Sequence, residues 1–194
     1  EANQSLRQEF EAFQQIKAIR HPFLLQLERV ELTEEELIMV MELADSQLQE
    51  RFLECRNSGL PGIPRVELLA YLADAAEALD VISVRHGLQH LDVKPANLFI
   101  ICGRVKVGDY GLVRAESTKS TLQNRGFTPR YVAPEVLRGC VDARSDQYSL
   151  ALVYQELLTG TFAYTARTAQ QMMMAHASSP PDLSSLPMED IGPM

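Results

Sequence analysis

The run His90-Leu91-Asp92-Val93-Lys94-Pro95-Ala96-Asn97 constrains this chain more than any other, because it gathers an acid, a cation and an amide into one short loop. Taken singly, an Asp or Asn in a loop is ordinary turn chemistry. Two further polar signals follow in order, Asp109-Tyr110-Gly111 and Ala133-Pro134-Glu135, and the constellation overrides the single-residue reading.

Apolar spacing lays out a mixed α+β scaffold around these loops. Leu6, Phe10, Phe13, Ile16 and Ile19 form one stripe of an amphipathic helix ending near His21-Pro22. Stretches 25–32 and 37–43 read as paired strands around the polar turn Thr33-Glu34-Glu35-Glu36. After the break Pro61-Gly62-Ile63-Pro64, a long helical period runs through Val66, Leu69, Leu72, Ala73, Ala76, Leu79 and Ile82 to Arg85-His86-Gly87. Short strands at 98–101 and 105–107 flank the turn Cys102-Gly103-Arg104. Stretch 145–158 is a second apolar helix, with Asp146 at its start and Gly160 past its end. One more helix at 168–176 carries Met172, Met173 and Met174, which read as packing. The tail 178–194, with Pro180, Pro181, Pro187 and Pro193, reads as irregular.

With 194 residues and 46% hydrophobic content the chain can bury one ordinary core. No run approaches the roughly 18 apolar residues of a membrane span, and Glu1-Ala2-Asn3-Gln4 has no signal-peptide pattern. A net charge of −8 argues against nucleic acid as a partner. Cys55, Cys102 and Cys140 contain no C-x-x-C pair, so neither a disulfide framework nor a zinc site is expected, and inert thiols fit a reducing cytoplasm.

In order and distance, the three polar signals resemble the catalytic loop, the D-F-G metal motif and the A-P-E of the protein kinase superfamily, and the resemblance runs from about Leu6 to His176. Lys94 and the run Gly126-Phe127-Thr128-Pro129-Arg130-Tyr131 resemble the serine/threonine branch. Pro22-Phe23-Leu24-Leu25 and Asp146-Gln147-Tyr148-Ser149-Leu150-Ala151 are most similar to bacterial eukaryotic-like kinases. The resemblance implies a kinase-like α+β fold. Residues 1–43 would be the C-terminal part of the small lobe, with helix C and two strands, and 44–177 a mostly helical large lobe. Residues 178–194 would lead to large-lobe helices beyond this sequence. It further implies ATP and Mg²⁺ as cofactors, a protein Ser/Thr hydroxyl as substrate, a cytoplasmic setting, and no nucleic-acid or membrane contact from this segment.

Site roles follow from the same resemblance. Asp92 would take the substrate hydroxyl proton, Lys94 would approach the transferring phosphate, and Asn97 and Asp109 would offer Mg²⁺ the hard oxygens it prefers. Met41 would gate the back of a nucleotide pocket, with Glu42 and Ala44 in the hinge and Phe99 under the adenine ring. His90 and Ile16 would be spine residues beside Tyr110. Asp146 would brace the catalytic loop or cap its own helix. Thr128 would link the activation segment to Asp92 and Lys94, or serve as a turn residue before Pro129. Ser117, Thr118, Ser120 and Thr121 would accept regulatory phosphates or form a plain polar loop.

Four departures qualify the match. Leu91 stands where many kinases carry the Arg that pairs with an activation-loop phosphate, so activity is expected not to require that phosphate. No Gly-rich loop or strand Lys of the V-A-I-K type precedes the first helix, so the chain reads as a fragment, inactive by itself. Ala12 falls where the helix-C Glu belongs, with Glu9 and Glu11 nearby. Glu135 has no identifiable Arg partner. The rival reading is a pseudokinase scaffold without turnover, against which Asp92, Lys94, Asn97 and Asp109 all stand intact.

Overall fold

A computed structural model describes residues 10, 13–33, 36–110, 113–115 and 128–191. Residues 13–17 are helical (α1), and Phe13, Ile16 and Ile19 are buried as the stripe requires. Strands β1 (Leu27–Leu32) and β2 (Leu37–Met41) form an antiparallel hairpin. A bulge between Leu27 and Arg29 lets Leu27 and Val30, three positions apart, both enter the core, which strict alternation would forbid.

Both strands are shorter than the sequence suggests. Residues 42–44 run on from Met41 outside any strand, and Leu25 leaves the hairpin to donate its N–H to Val107 O at 2.8 Å, while Val107 N–H bonds Phe23 O at 2.8 Å. The segment leading into β1 is thereby stitched to Val107.

After the hairpin come β3 (Ser46–Gln47) and α2 (Leu48–Asn57). Next come α3 (Arg65–Asp80), a π turn at Val81–Arg85, and β4 (Leu88–Gln89). Strands β5 (Leu98–Ile101) and β6 (Arg104–Val107) join β3 in an antiparallel sheet of order β3-β5-β6, and β4 pairs with β7 (Arg114–Ala115). Helices α4 (Pro134–Leu137), α5 (Ser145–Thr159) and α6 (Ala169–Ser178) follow.

Helix α3 packs on both β6 and α5. Its buried face is Leu68, Leu72, Ala75, Ala78 and Leu79, followed by Ile82 in the π turn, whereas Val66 and Leu69, expected in the stripe, are 83% and 40% exposed. Gly160, at φ 70°, closes α5 in the left-handed conformation that glycine adopts without strain. In the methionine run only Met172 is buried, and Met174 is 62% exposed, so the packing expectation holds for one of the three. The tail is irregular apart from a 3₁₀ turn at Met188–Asp190, and it is pinned: Asp190 accepts from Arg65 Nη2 at 2.5 Å and from Tyr154 Oη at 2.6 Å. Among the described residues no helix is long and apolar enough to cross a membrane.

Candidate active site

The loop 90–97 is held from behind. Asp146, buried in the first turn of α5, accepts His90 N–H at 2.7 Å and Leu91 N–H at 2.8 Å. It makes no cap bond to its own helix, so of the two sequence readings bracing is the one present. Burial pushes its carboxyl up, against the opposing pull of the His90 ring and the two N–H donors. These bonds hold Leu91 at φ 64°, a conformation a branched residue adopts only when its surroundings impose it.

In front of that brace the polar side chains converge. Asp92 is buried to 8% exposure, and its Oδ2 accepts from Lys94 Nζ at 2.5 Å and Asn97 Nδ2 at 3.0 Å. Asn97 Nδ2 also donates to Asp92 O at 2.8 Å, so the amide nitrogen is committed to Asp92. Lys94 Nζ reaches Thr128 Oγ1 at 3.2 Å, so Thr128 does tie the segment before α4 to Asp92 and Lys94.

Asp109 is delivered to the same place by its neighbour. Gly108 donates N–H to Asn97 O at 3.0 Å and accepts from His90 Nε2 at 2.9 Å, while His90 Nδ1 accepts Asp92 N–H at 3.3 Å, fixing which ring nitrogen carries the proton. A Cβ at 108 would meet Leu25 Cδ2 at 2.7 Å and Phe99 Cε2 at 2.9 Å, so any larger residue would have to displace these two side chains. Asp109 itself sits at φ 60° with its carboxylate exposed. Next to it Tyr110 is fully buried, edge-on to His90 at 5.7 Å, and its hydroxyl donates to Val107 O with Leu25 O at 3.2 Å. Burial pushes this phenol far up, so it remains a donor that fastens Tyr110 to the Leu25 and Val107 carbonyls.

Two adjoining cavities open between hinge and Asp109. One of about 410 Å³ is lined by Leu25, Met41, Glu42, Leu43, Ala44 and Phe99, with Gln47 and Glu50 at its polar end. The other, about 240 Å³, shares Leu25, Met41 and Phe99 and continues to Asp109 and Tyr110. Met41 and Phe99 therefore lie between hinge and carboxylate. Apolar walls with a few polar groups at one end suit a flat heteroaromatic ring attached to a polar tail.

Asn97 and Asp109 suit Mg²⁺ in kind, being hard oxygen donors. No cluster of three or more His, Cys, Asp or Glu able to hold a metal is present among the described residues. That donor set matches a cation carried in on phosphates and keeping its waters, rather than a dedicated protein cage.

Leu91 is buried with Val132, Ala133 and Val136, so the loop is joined to the A-P-E segment by packing where a charged side chain would need a phosphate. Glu135, for which the sequence offers no Arg partner, accepts Ser145 Oγ at 2.7 Å at the start of α5. The sequence reading also missed a network under the 128–131 segment. Glu156 accepts from Arg130 Nη2 and Tyr131 Oη, each at 2.6 Å, and Arg130 stacks on Phe162 at 4.1 Å. Buried His176 bridges Arg130 O and Tyr148 Oη. Glu9, Glu11, Ala12, Ser117, Thr118, Ser120 and Thr121 lie outside the described residues.

The chain is 41% identical over 116 residues to the serine/threonine-protein kinase PknB of Mycobacterium tuberculosis, covering 57% of this chain and 18% of that protein. It is 38% identical over 139 residues to PknB of Mycolicibacterium smegmatis, covering 69% and 22%. With the probable serine/threonine-protein kinase PknB of Lactococcus lactis it shares 28% identity over 162 residues, 81% of this chain and 25% of that one. The chain thus spans about a fifth to a quarter of the length of these relatives. The sequence model of the protein kinase domain matches residues 1–189, and the chain belongs to that family.

Proposed function

We propose that this chain is the catalytic portion of a serine/threonine protein kinase that moves the γ-phosphate of ATP onto Ser or Thr hydroxyls of protein substrates. The observation that carries this reading is the bonding of Lys94 to Asp92 and Thr128 together, with Asn97 closing the other side. Phosphoryl transfer asks for alignment and charge neutralisation more than for covalent help. Asp92 Oδ2 is taken up by Lys94 and Asn97, which leaves Oδ1 to orient the substrate hydroxyl and accept its proton. Lys94 is near enough to share its charge between Asp92 and an incoming phosphate. Mg²⁺, held by Asp109 and the Asn97 amide oxygen, would neutralise phosphate charge. The adenine would lie between Leu25 and Phe99, with its edge at the backbone of 42–44 and Met41 behind it.

A cytoplasmic setting goes with ATP as donor, and the named relatives are serine/threonine kinases. The test is phosphorylation of a Ser/Thr peptide array by the full-length protein with γ-labelled ATP, followed by phosphoamino-acid analysis. Label on Ser or Thr is expected. Nucleotide binding without any transfer would instead support a scaffold.

A further inference from the structure

Glu42, the first hinge residue, is tied to both lobes at once. Its Oε1 accepts Gln26 N–H at 2.8 Å on the small-lobe side, and its own N–H bonds Gln26 O at 3.1 Å. From the large lobe, Lys106 Nζ bonds both carboxylate oxygens, at 2.8 and 2.7 Å. The pair is largely screened from water, with side chains 21% and 25% exposed. Lys106 lies on β6 directly opposite Phe99 on β5, and Phe99 and Glu42 both line the 410 Å³ cavity. At the far end of the hinge Asp45 is fastened as well, by its N–H to Ile100 O at 2.9 Å and by its Oδ2 to Cys102 N–H at 2.7 Å. Leu43, between these anchors, is 92% exposed.

We infer that Lys106 is a positioning residue for nucleotide binding: through Glu42 it fixes the hinge backbone and the spacing of the two lobes around the cavity, without touching the nucleotide itself. The physical reason is that Glu42 is shared. Without Lys106, its carboxylate keeps a single N–H donor in a half-buried place and gains by turning toward water. Gln26 N–H is then released too, and the small-lobe side is left with the single backbone bond from Glu42 N–H to Gln26 O. A hinge free to sample several spacings must be ordered when nucleotide binds, and that ordering is subtracted from affinity. The inference rests on the ATP reading above.

The test is titration calorimetry of the full-length protein with ADP, with steady-state kinetics against ATP. Lys106→Met is expected to raise the Kd for ADP about five- to tenfold, at the low end of couplings between linked sites. The KM for ATP should follow while kcat at saturating ATP stays within about twofold, and Lys106→Arg should recover most of the lost affinity because it can still pair with Glu42. Lys106→Gln, if the Met variant fails to fold, should weaken ADP binding in the same direction. A folded Met or Gln variant that binds ADP as the parent does would overturn the inference alone, as would an Arg variant as weak as Met. A parent that binds neither ADP nor ATP would overturn the ATP reading and this inference with it.

Discussion

Leu91→Ala is expected to destabilise the domain by about 2 to 4 kcal/mol and to loosen the A-P-E segment from the catalytic loop. Leu91 is 6% exposed and packs with Val132, Ala133 and Val136, with Leu137, Val141 and Tyr148 around them. Truncation removes three carbons, at about 0.8 kcal/mol each. The cavity left behind adds to this, so that buried Leu→Ala changes fall at about 2 to 5 kcal/mol, and the half-buried rim of this cluster permits some collapse. Backbone strain at φ 64° is the same for Leu and Ala and cancels. Leu91→Gly tests that point: relief of the left-handed strain, about 1 to 2 kcal/mol, offsets the lost Cβ and the added chain entropy, so Gly should land near Ala rather than well below it. Guanidinium unfolding of the full-length protein, with amide exchange at 132–136 as the local probe, reads both quantities. An alanine variant within about 0.5 kcal/mol of the parent, with unchanged exchange at 132–136, would refute the packing argument. Because this joint needs no phosphate, the parent should also keep its activity after phosphatase treatment. Loss restored by rephosphorylation would contradict that.

Asp146→Asn replaces one acceptor by an N–H₂ facing a backbone donor, so a loss of about 1 to 3 kcal/mol is expected, with kcat falling more than nucleotide affinity. An unchanged kcat would show that the brace does not matter for turnover. Burial holds the His176 imidazole below its ordinary 6.5 while it bridges Arg130 O and Tyr148 Oη beside Tyr164. A depressed folded-state value means that the stability this neutral ring contributes is present above 6.5 and is lost as pH falls below it. Thermal unfolding midpoints between about pH 7.5 and 5.5, a window centred on the histidine reference, should therefore drop further in the parent than in His176→Gln. Equal slopes would sink this assignment.

What was legible in the sequence was what has local spacing. Asp92, Lys94 and Asn97 carry their chemistry at fixed intervals, and the helical period from Val66 to Ile82 announces α3, although Val66, Leu69 and Ala73 of that stripe face solvent. Helix α2 went unread although Leu48, Phe52 and Cys55 repeat at helical steps, because ten residues with only two fully buried give a faint stripe. The bonds between distant positions were not legible. Lys106 and Glu42 are 64 positions apart and look like any two surface charges until β5 and β6 place them together. The sequence offers Glu135 no Arg partner, and its bond from the Ser145 hydroxyl ten positions on has no motif that announces it. His176 shows no motif at all, since its significance comes from Tyr148 and the Arg130 carbonyl.

The most direct test of the central claim is Asp92→Asn in the full-length protein, with transfer from γ-labelled ATP to a Ser/Thr peptide and ATP affinity measured side by side. Loss of a general base, together with its hold on Lys94, should lower transfer by about a hundred- to ten-thousandfold while ATP still binds nearly as before, because Asp92 lines neither cavity that the nucleotide would fill. Transfer equal to the parent would mean that the phosphoryl acceptor is activated elsewhere, and the account of this loop would be wrong.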